Sequence, residues 1–276
     1  MFGRVSDNPR KHYQRMKPFI DYLAKRLNDY GIKGGDVFLA NNDQQMIKAL
    51  KEGKVDIVTE TFFSSLIYME KAGTIPILRR WKQGRPDYLS YIFVRRDSKI
   101  NSLSDLKGKV IAFEDPGSTT GYFLPKIALL KAGVNLVKLN NCRERPPEDK
   151  TGYCFAYGEQ NIALLVHKKI VEIGTLSDEE YREPDEVPTG ILADFKIIHA
   201  TESIPRNFIS VRKELSPELI GAIKEVLFTM HQNTQGRELM RKLEKTVAFD
   251  EYESADFVRK MKEYSQWIKD DLETYK

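Results

Sequence analysis

Residues 109–130 read KVIAFEDPGSTTGYFLPKIALL. Lys109–Phe113 is a short apolar run bounded by turn residues, the pattern of a buried strand. Asp115-Pro116-Gly117 turns the chain, and beyond Gly121 it becomes helical. A strand thus runs through a tight turn into a helix, with Ser118, Thr119, Thr120 and Gly121 at the junction.

The same alternation extends in both directions. Upstream, Phe2–Val5 reads as a strand and Ser6-Asp7-Asn8-Pro9 as a turn and cap. Met16, Phe19, Ile20, Leu23 and Leu27 then recur with a helical period. Val37–Leu39 is a strand, Asp43–Lys51 a helix ended by Gly53, Val55–Val58 a strand and Phe62–Lys71 a helix. This βαβαβα order predicts a parallel sheet with right-handed crossovers. Tyr88–Arg95 reads as a long buried strand, and residues 101–108 as a short helix entered through a serine cap. Downstream, Gly133–Lys138 is a strand, and residues 141–153 (NCRERPPEDKTGY) are a charged, Pro-rich surface loop. Asn161–Val166 is helical, and Ile170–Thr175, Lys196–Ala200 and Phe208–Val211 are strands. From Ser216 onward everything reads as helix, with Phe228, Met230, Leu239, Leu243, Phe257, Met261, Tyr264 and Trp267 on apolar faces.

The expected class is therefore α/β, with two lobes. Residues 1–90 plus 204–276 form lobe 1, and residues 91–203 form lobe 2, which carries the quoted turn. Two lobes joined by two crossings make a hinge and an interlobe cleft. Ligands of open parallel sheets bind at the carboxyl ends of strands, which in this design face the cleft.

Composition narrows the function. With 276 residues, 41% hydrophobic and 30% charged, the chain has the profile of a globular protein. Its net charge of +4 comes from interspersed signs, with no basic arm, so a nucleic-acid partner is not expected. No apolar run is long enough to span a membrane. Met1-Phe2-Gly3-Arg4 enters a strand directly, so the chain is either cytoplasmic or a mature form whose leader is absent. His12, His167, His199 and His231 are far apart, and Cys142 and Cys154 have no histidine nearby, so neither a metal site nor a cofactor is expected. In an oxidising compartment the two cysteines can close a loop as a disulfide. As free thiols they would be small hydrophobes, and the sequence leaves both open.

The quoted turn has chemistry of its own. The first N–H groups of a helix lack internal partners and, with the macrodipole, favour negative charge. Three adjacent hydroxyls add donors, and Gly117 and Gly121 let backbone approach a ligand closely. Hydrogen bonds to a charged oxygen contribute roughly 1.5–3 kcal/mol each. About four of them, less the cost of immobilising the ligand, give roughly micromolar affinity. A tetrahedral oxyanion fits such a cradle. The plainer alternative is that Ser118 only caps the helix. The P-loop lysine is absent, and Ser118 directly follows Gly117, which excludes the nucleophile elbow of a hydrolase. Arg79-Arg80-Trp81-Lys82 reads as a surface face, with attraction of anions at the cleft mouth as the alternative.

DYLSYIFVRRDSKINSLSDLKGKVIAFEDPGSTTGYFLPKIALLKAGV, residues 87–134, resembles the phosphonate-binding protein family, the solute receptors of phosphate, phosphite and phosphonate ABC transporters. The linked features are an aromatic-x-Ser strand, the DLKGK segment, DPxST[ST]G and a later SIP step. The likeness runs from FGRVSDNP to the C-terminal helices, and it is strongest over residues 88–135. The resemblance implies a type 2 periplasmic binding-protein fold that closes on its ligand by hinge motion. Ser118, Thr119 and Thr120 would hold the oxyanion, and Tyr88 sits where the family places a tyrosine that reaches the same group. Where the phosphonate receptors have a first-lobe pocket tyrosine, this chain reads VTETFF and offers Glu60. In place of a second-lobe histidine it reads YGEQN and offers Glu159, and after SIP it has Asn207. Glutamates near the cradle would accept a hydrogen bond from a protonated oxyanion and repel sulfate, or meet a cationic part of a larger ligand.

The resemblance further implies an extracytoplasmic monomer that delivers its ligand to an ABC transporter membrane permease. Two other functions stay open: a ligand-sensing domain of a signalling system, or an enzyme on the same fold. Against the last, no activated nucleophile or carboxylate pair with defined spacing stands out.

Overall fold

The computed structural model describes residues 1–6, 8–252 and 254–274, and the side chains of residues 254–258 lie outside the description, Phe257 among them. Its strands in chain order are β1 (Phe2–Val5), β2 (Val37–Ala40), β3 (Ile57–Thr61), β4 (Ile75–Arg80), β5 (Asp87–Tyr88), β6 (Ser90–Arg95) and β7 (Val110–Phe113). After these come β8 (Leu136–Lys138), β9 (Thr151–Phe155), β10 (Ile173–Ser177), β11 (Phe195–Ala200), β12 (Ile204–Pro205), β13 (Asn207–Val211) and β14 (Phe249–Asp250). The helices used below are α1 (Pro9–Arg26), α2 (Asp43–Lys51), α3 (Phe62–Ala72), α4 (Leu124–Lys131), α5 (Glu159–His167), α6 (Thr189–Leu192), α7 (Pro217–Thr229) and α8 (Thr234–Lys242).

The described chain separates into two units, Met1–Asp87 with Pro205–Lys276, and Tyr88–Ile204. Tyr88 falls in the second unit, because the boundary lies three residues before the one drawn from sequence. The crossing strands β5 and β12 form a two-stranded sheet of their own.

Unit 1 holds a sheet of order β14-β4-β13-β3-β1-β2. Strand β1 pairs in parallel with β2 and β3, while β13 runs antiparallel to β3 and β4. Helix α1 begins where the cap signal predicts: Asn8 Oδ1 accepts the Lys11 N–H at 3.2 Å, and Pro9 occupies the first turn, where its missing N–H is harmless. Its buried face, Met16, Phe19, Ile20 and Leu23, packs with Phe2, Val37, Leu78, Ile209, Leu227 and Phe249 in one core. Ser216 and Pro217 start α7 by the same device.

Unit 2 holds a sheet of order β11-β6-β10-β7-β9-β8. Here β7 pairs in parallel with β9 and β10, and β6 runs antiparallel to β10 and β11. Val110, Ile111, Ala112 and Phe113 are all fully buried, as befits a central strand covered on both faces. Phe93, Val110, Ala112, Ile162, Val166, Leu176 and Phe195 make its core.

Both sheets are mixed, whereas the alternating pattern predicts a parallel one. Strands β4, β9 and β14 are additions to the sequence reading. IPILRR carries two arginines, and TGYCF takes its first three residues from the stretch 141–153 read as a loop, which the structure ends at residue 150, so neither shows the alternation of a half-buried strand. Cys142 and Cys154 are joined as a disulfide with Cα atoms 5.2 Å apart, which ties the loop of residues 141–150 to β9.

Candidate functional site

The quoted turn follows β7, and its winding is unusual. Thr119–Phe123 forms a π-helix that passes directly into α4. The Phe123 N–H reaches the Ser118 carbonyl at 3.1 Å, five residues back. Such widened turns are rare and often mark functional sites. Two strands and the residue that follows β7 hold this one: Ser90 Oγ donates to the Thr120 carbonyl at 2.7 Å, Thr175 Oγ1 donates to the Gly121 carbonyl at 2.9 Å, and the Glu114 N–H donates to the same carbonyl at 3.1 Å. Ser118 Oγ accepts the Gly121 N–H at 2.9 Å, so it does serve as a cap. Thr119 and Thr120 are buried.

A residue that the sequence reading passes over dominates the surroundings. Glu114, the first residue after β7, packs its carboxyl against the turn and hydrogen-bonds Ser118. Burial, reinforced by the negative charge of Glu159, pushes its pKa up to about 9, so at neutral pH it is a neutral acid. Asp115 accepts the Gly117 N–H at 2.6 Å, and burial raises its pKa as well. Glu159 opens α5 and acts on Glu114 through its charge. The only signal in the sequence is position: Glu114 stands at the carboxyl end of a central strand, where ligands of such sheets bind. A protonated Glu114 is a hydrogen-bond donor beside hydroxyls. Ionised, it would repel any anion.

Tyr88 is buried in the same unit, and its carbonyl accepts from Ser203 Oγ at 3.4 Å. Tyr88, Ser118, Thr119, Thr120 and Glu159 therefore all belong to unit 2.

Glu60 and Asn207 lie in unit 1, on adjacent register positions of β3 and β13. Glu60 Oε1 accepts the Val5 N–H at 2.8 Å, and burial lifts its pKa to about 7 against the pull of Arg4. Asn207 Oδ1 accepts from Thr59 Oγ1 and from Arg80 Nε, both at 2.8 Å, so its carbonyl is committed to the interior. Arg80 is fully buried, in contrast to the surface face expected of the Arg79–Lys82 run. Glu244 gathers the charge there. Its Oε2 lies 2.6 Å from Arg4 Nη1 and 2.7 Å from Arg80 Nη2, and its Oε1 lies 3.2 Å from Lys82 Nζ. Burial alone would raise the Glu244 pKa, but Lys82, Arg80 and Arg4 hold it well below the carboxylate range. Among the described residues no cluster of three His, Cys, Asp or Glu side chains could hold a metal ion.

Residues 2–257 match the family model for the periplasmic phosphonate substrate-binding protein of ABC transporters. The chain belongs to this family. It is 24% identical to the phosphate-import protein PhnD of Mycolicibacterium smegmatis over 241 residues, 83% of this chain and 72% of that protein. It is 25% identical to the phosphonates-binding periplasmic protein of Escherichia coli over 248 residues, 88% of this chain and 69% of that protein. Among solved structures, the Xanthomonas citri protein XAC2383 bound to ATP superposes with a TM-score of 0.90 at 30% identity, covering 99% of this chain and 97% of its own. Family membership makes this chain the substrate-binding component of an ABC transporter, with a small ligand and a membrane permease as partners. No described helix is long and apolar enough to cross a membrane.

Proposed function

We propose that the chain captures a phosphorus oxyanion, free or as a phosphonate, outside the cytoplasm and as a monomer, for delivery to the permease. The hydroxyl turn Ser118-Thr119-Thr120, wound as a π-helix at the carboxyl end of β7, carries this reading. The relatives named for phosphate import and phosphonate binding support the class. Glu114 adds selectivity. As a neutral acid it donates to the oxyanion, and next to Glu159 it disfavours the addition of more negative charge than one group can share. The two crossings at Asp87–Tyr88 and Ile204–Pro205 supply the connectivity for closure around the ligand.

A thermal-shift screen tests this against phosphate, phosphite, methylphosphonate, 2-aminoethylphosphonate, sulfate and arsenate. A ligand that binds only the folded state raises Tm by mass action. The expected result is a shift with one phosphorus oxyanion, none with sulfate, and loss of that shift in Thr119→Ala. A shift that survives Thr119→Ala, or no shift with any of the panel, overturns the reading.

A further inference from the structure

The surface of unit 1 has an open pocket of about 520 Å³ lined by Gln14 and Arg15 of α1, Lys82 and Gln83 after β4, and Arg241, Lys242, Glu244 and Lys245 at the end of α8, with Gln14, Gln83, Arg241, Lys242 and Lys245 exposed. That is the size of a small-molecule site, for which a few hundred Å³ is typical. Five of its lining residues are cations and one is an anion. The anion is already taken, because Glu244 is shared among Arg4, Arg80 and Lys82 at 2.6–3.2 Å. Behind Glu244, the fully buried Arg80 has an Nη1 with no hydrogen-bond partner among the described residues. The Lys82 pKa is lowered chiefly by burial; Glu244 opposes the shift, and Arg4, Arg80 and Arg206 add to it. The cavity therefore carries an excess of positive charge that its own acidic residue does not answer.

The cavity wall is also built from strained backbone. Gln83, Glu244 and Lys245 have φ of 54°, 51° and 51°, left-handed values that side-chain-bearing residues rarely adopt. Each is unfavourable and persists only where the surroundings impose it. Here the Gln83 N–H donates to the Glu244 carbonyl at 3.2 Å, the Trp81 N–H to the Ala248 carbonyl at 3.0 Å, and the Val247 N–H to the Trp81 carbonyl at 3.2 Å. The two cation-bearing loops are thus fixed against each other. Among the described residues no aromatic ring lines the pocket, so it offers no stacking platform for a base.

We propose that this cavity is a second anion site, separate from the hydroxyl turn, that takes a linear polyphosphate chain. A single phosphate leaves most of the cations unanswered. A chain of several phosphates matches their number and presents acceptor oxygens to the guanidinium forks of Arg15 and Arg241.

The test is calorimetric titration of the full chain with inorganic tripolyphosphate, ATP and inorganic phosphate, in low salt without divalent cations. The proposal expects tripolyphosphate and ATP to bind with similar affinity, at least tenfold tighter than phosphate at this site. Arg241→Glu with Lys242→Glu, both exposed and outside the Glu244 cluster, should weaken tripolyphosphate at least tenfold. The same variant should leave the ligand found for the hydroxyl turn unaffected, and Thr119→Ala should show the opposite pattern. Absence of tripolyphosphate binding to the unmodified chain overturns the proposal. So does binding unchanged by the double charge reversal, loss of tripolyphosphate in Thr119→Ala, or binding of ATP without tripolyphosphate. Survival of the hydroxyl-turn ligand in Thr119→Ala, with tripolyphosphate retained, overturns the reading of the turn alone and supports the cavity as a separate site.

Discussion

Glu114 and Gly121 are in contact because Gly121 has no side chain: Glu114 Oε2 lies 2.6 Å, and its Cβ 2.5 Å, from where a Gly121 Cβ would stand. Ser118 Oγ lies 2.8 Å from the same point. The glycine thus makes room for the acid inside the turn. Gly121→Ala must move strand-anchored atoms and should destabilise the protein by roughly 1–3 kcal/mol, as overpacking does. Urea unfolding of the variant measures it, and a loss below a few tenths would mean that the turn is soft.

Glu114 also predicts a pH dependence. Its folded pKa of about 9 stands above the ordinary 4.5. Below the lower value both states are protonated and the group contributes no difference. As pH rises the unfolded chain ionises first, so stability falls progressively until the folded pKa is passed. Glu60 acts in the same direction over the narrower window from 4.5 to about 7. Glu114→Gln should therefore raise Tm at pH ~8 and leave it unchanged at pH ~4. Asp115, Glu159 and Glu180 face the same carboxyl and remain in place, so a residual slope is expected. Equal Tm values at both pH values would contradict the burial of Glu114 as a neutral acid.

Asn207→Ala takes the acceptor from both Thr59 and the buried Arg80. Leaving a buried guanidinium without one of its partners is costly, and a loss of roughly 2–4 kcal/mol is expected. If stability were untouched while ligand affinity fell, Asn207 would be a ligand contact after all.

Reduction should loosen unit 2. The Cys142–Cys154 bond spans a separation of 12 residues, for which about 2–4 kcal/mol of stabilisation is typical. Tm measured with and without a reductant checks this, with Cys142→Ser/Cys154→Ser as the matching variant. The two should agree.

Much of this was legible in the residues because local chemistry and global fold agree there. VIAF followed by EDPGSTTG could only be a buried strand entering a capped turn, and Asn8-Pro9 and Ser216-Pro217 announced their helices. The π winding was not legible, since it depends on Ser90 and Thr175 binding the carbonyls of the turn from distant strands and on the Glu114 N–H beside it. Arg80 misled for a physical reason. An arginine in a charged run reads as solvated, and only Asn207 and Glu244, 127 and 164 residues away, make its burial tolerable. Glu114 was hidden by its type, because a glutamate next to an oxyanion cradle looks wrong until burial neutralises it.

The pinned π turn has a consequence for kinetics. With its carbonyls fixed by β6, β10 and Glu114, the turn has little freedom to lose on binding, and under the proposed reading unit 2 would be a preformed receptor. Ligands of similar charge should then arrive at similar rates and differ in how long they stay. Selectivity would reside in the residence time of the anion, and stopped-flow dissociation would separate cognate from non-cognate ligands where association rates could not.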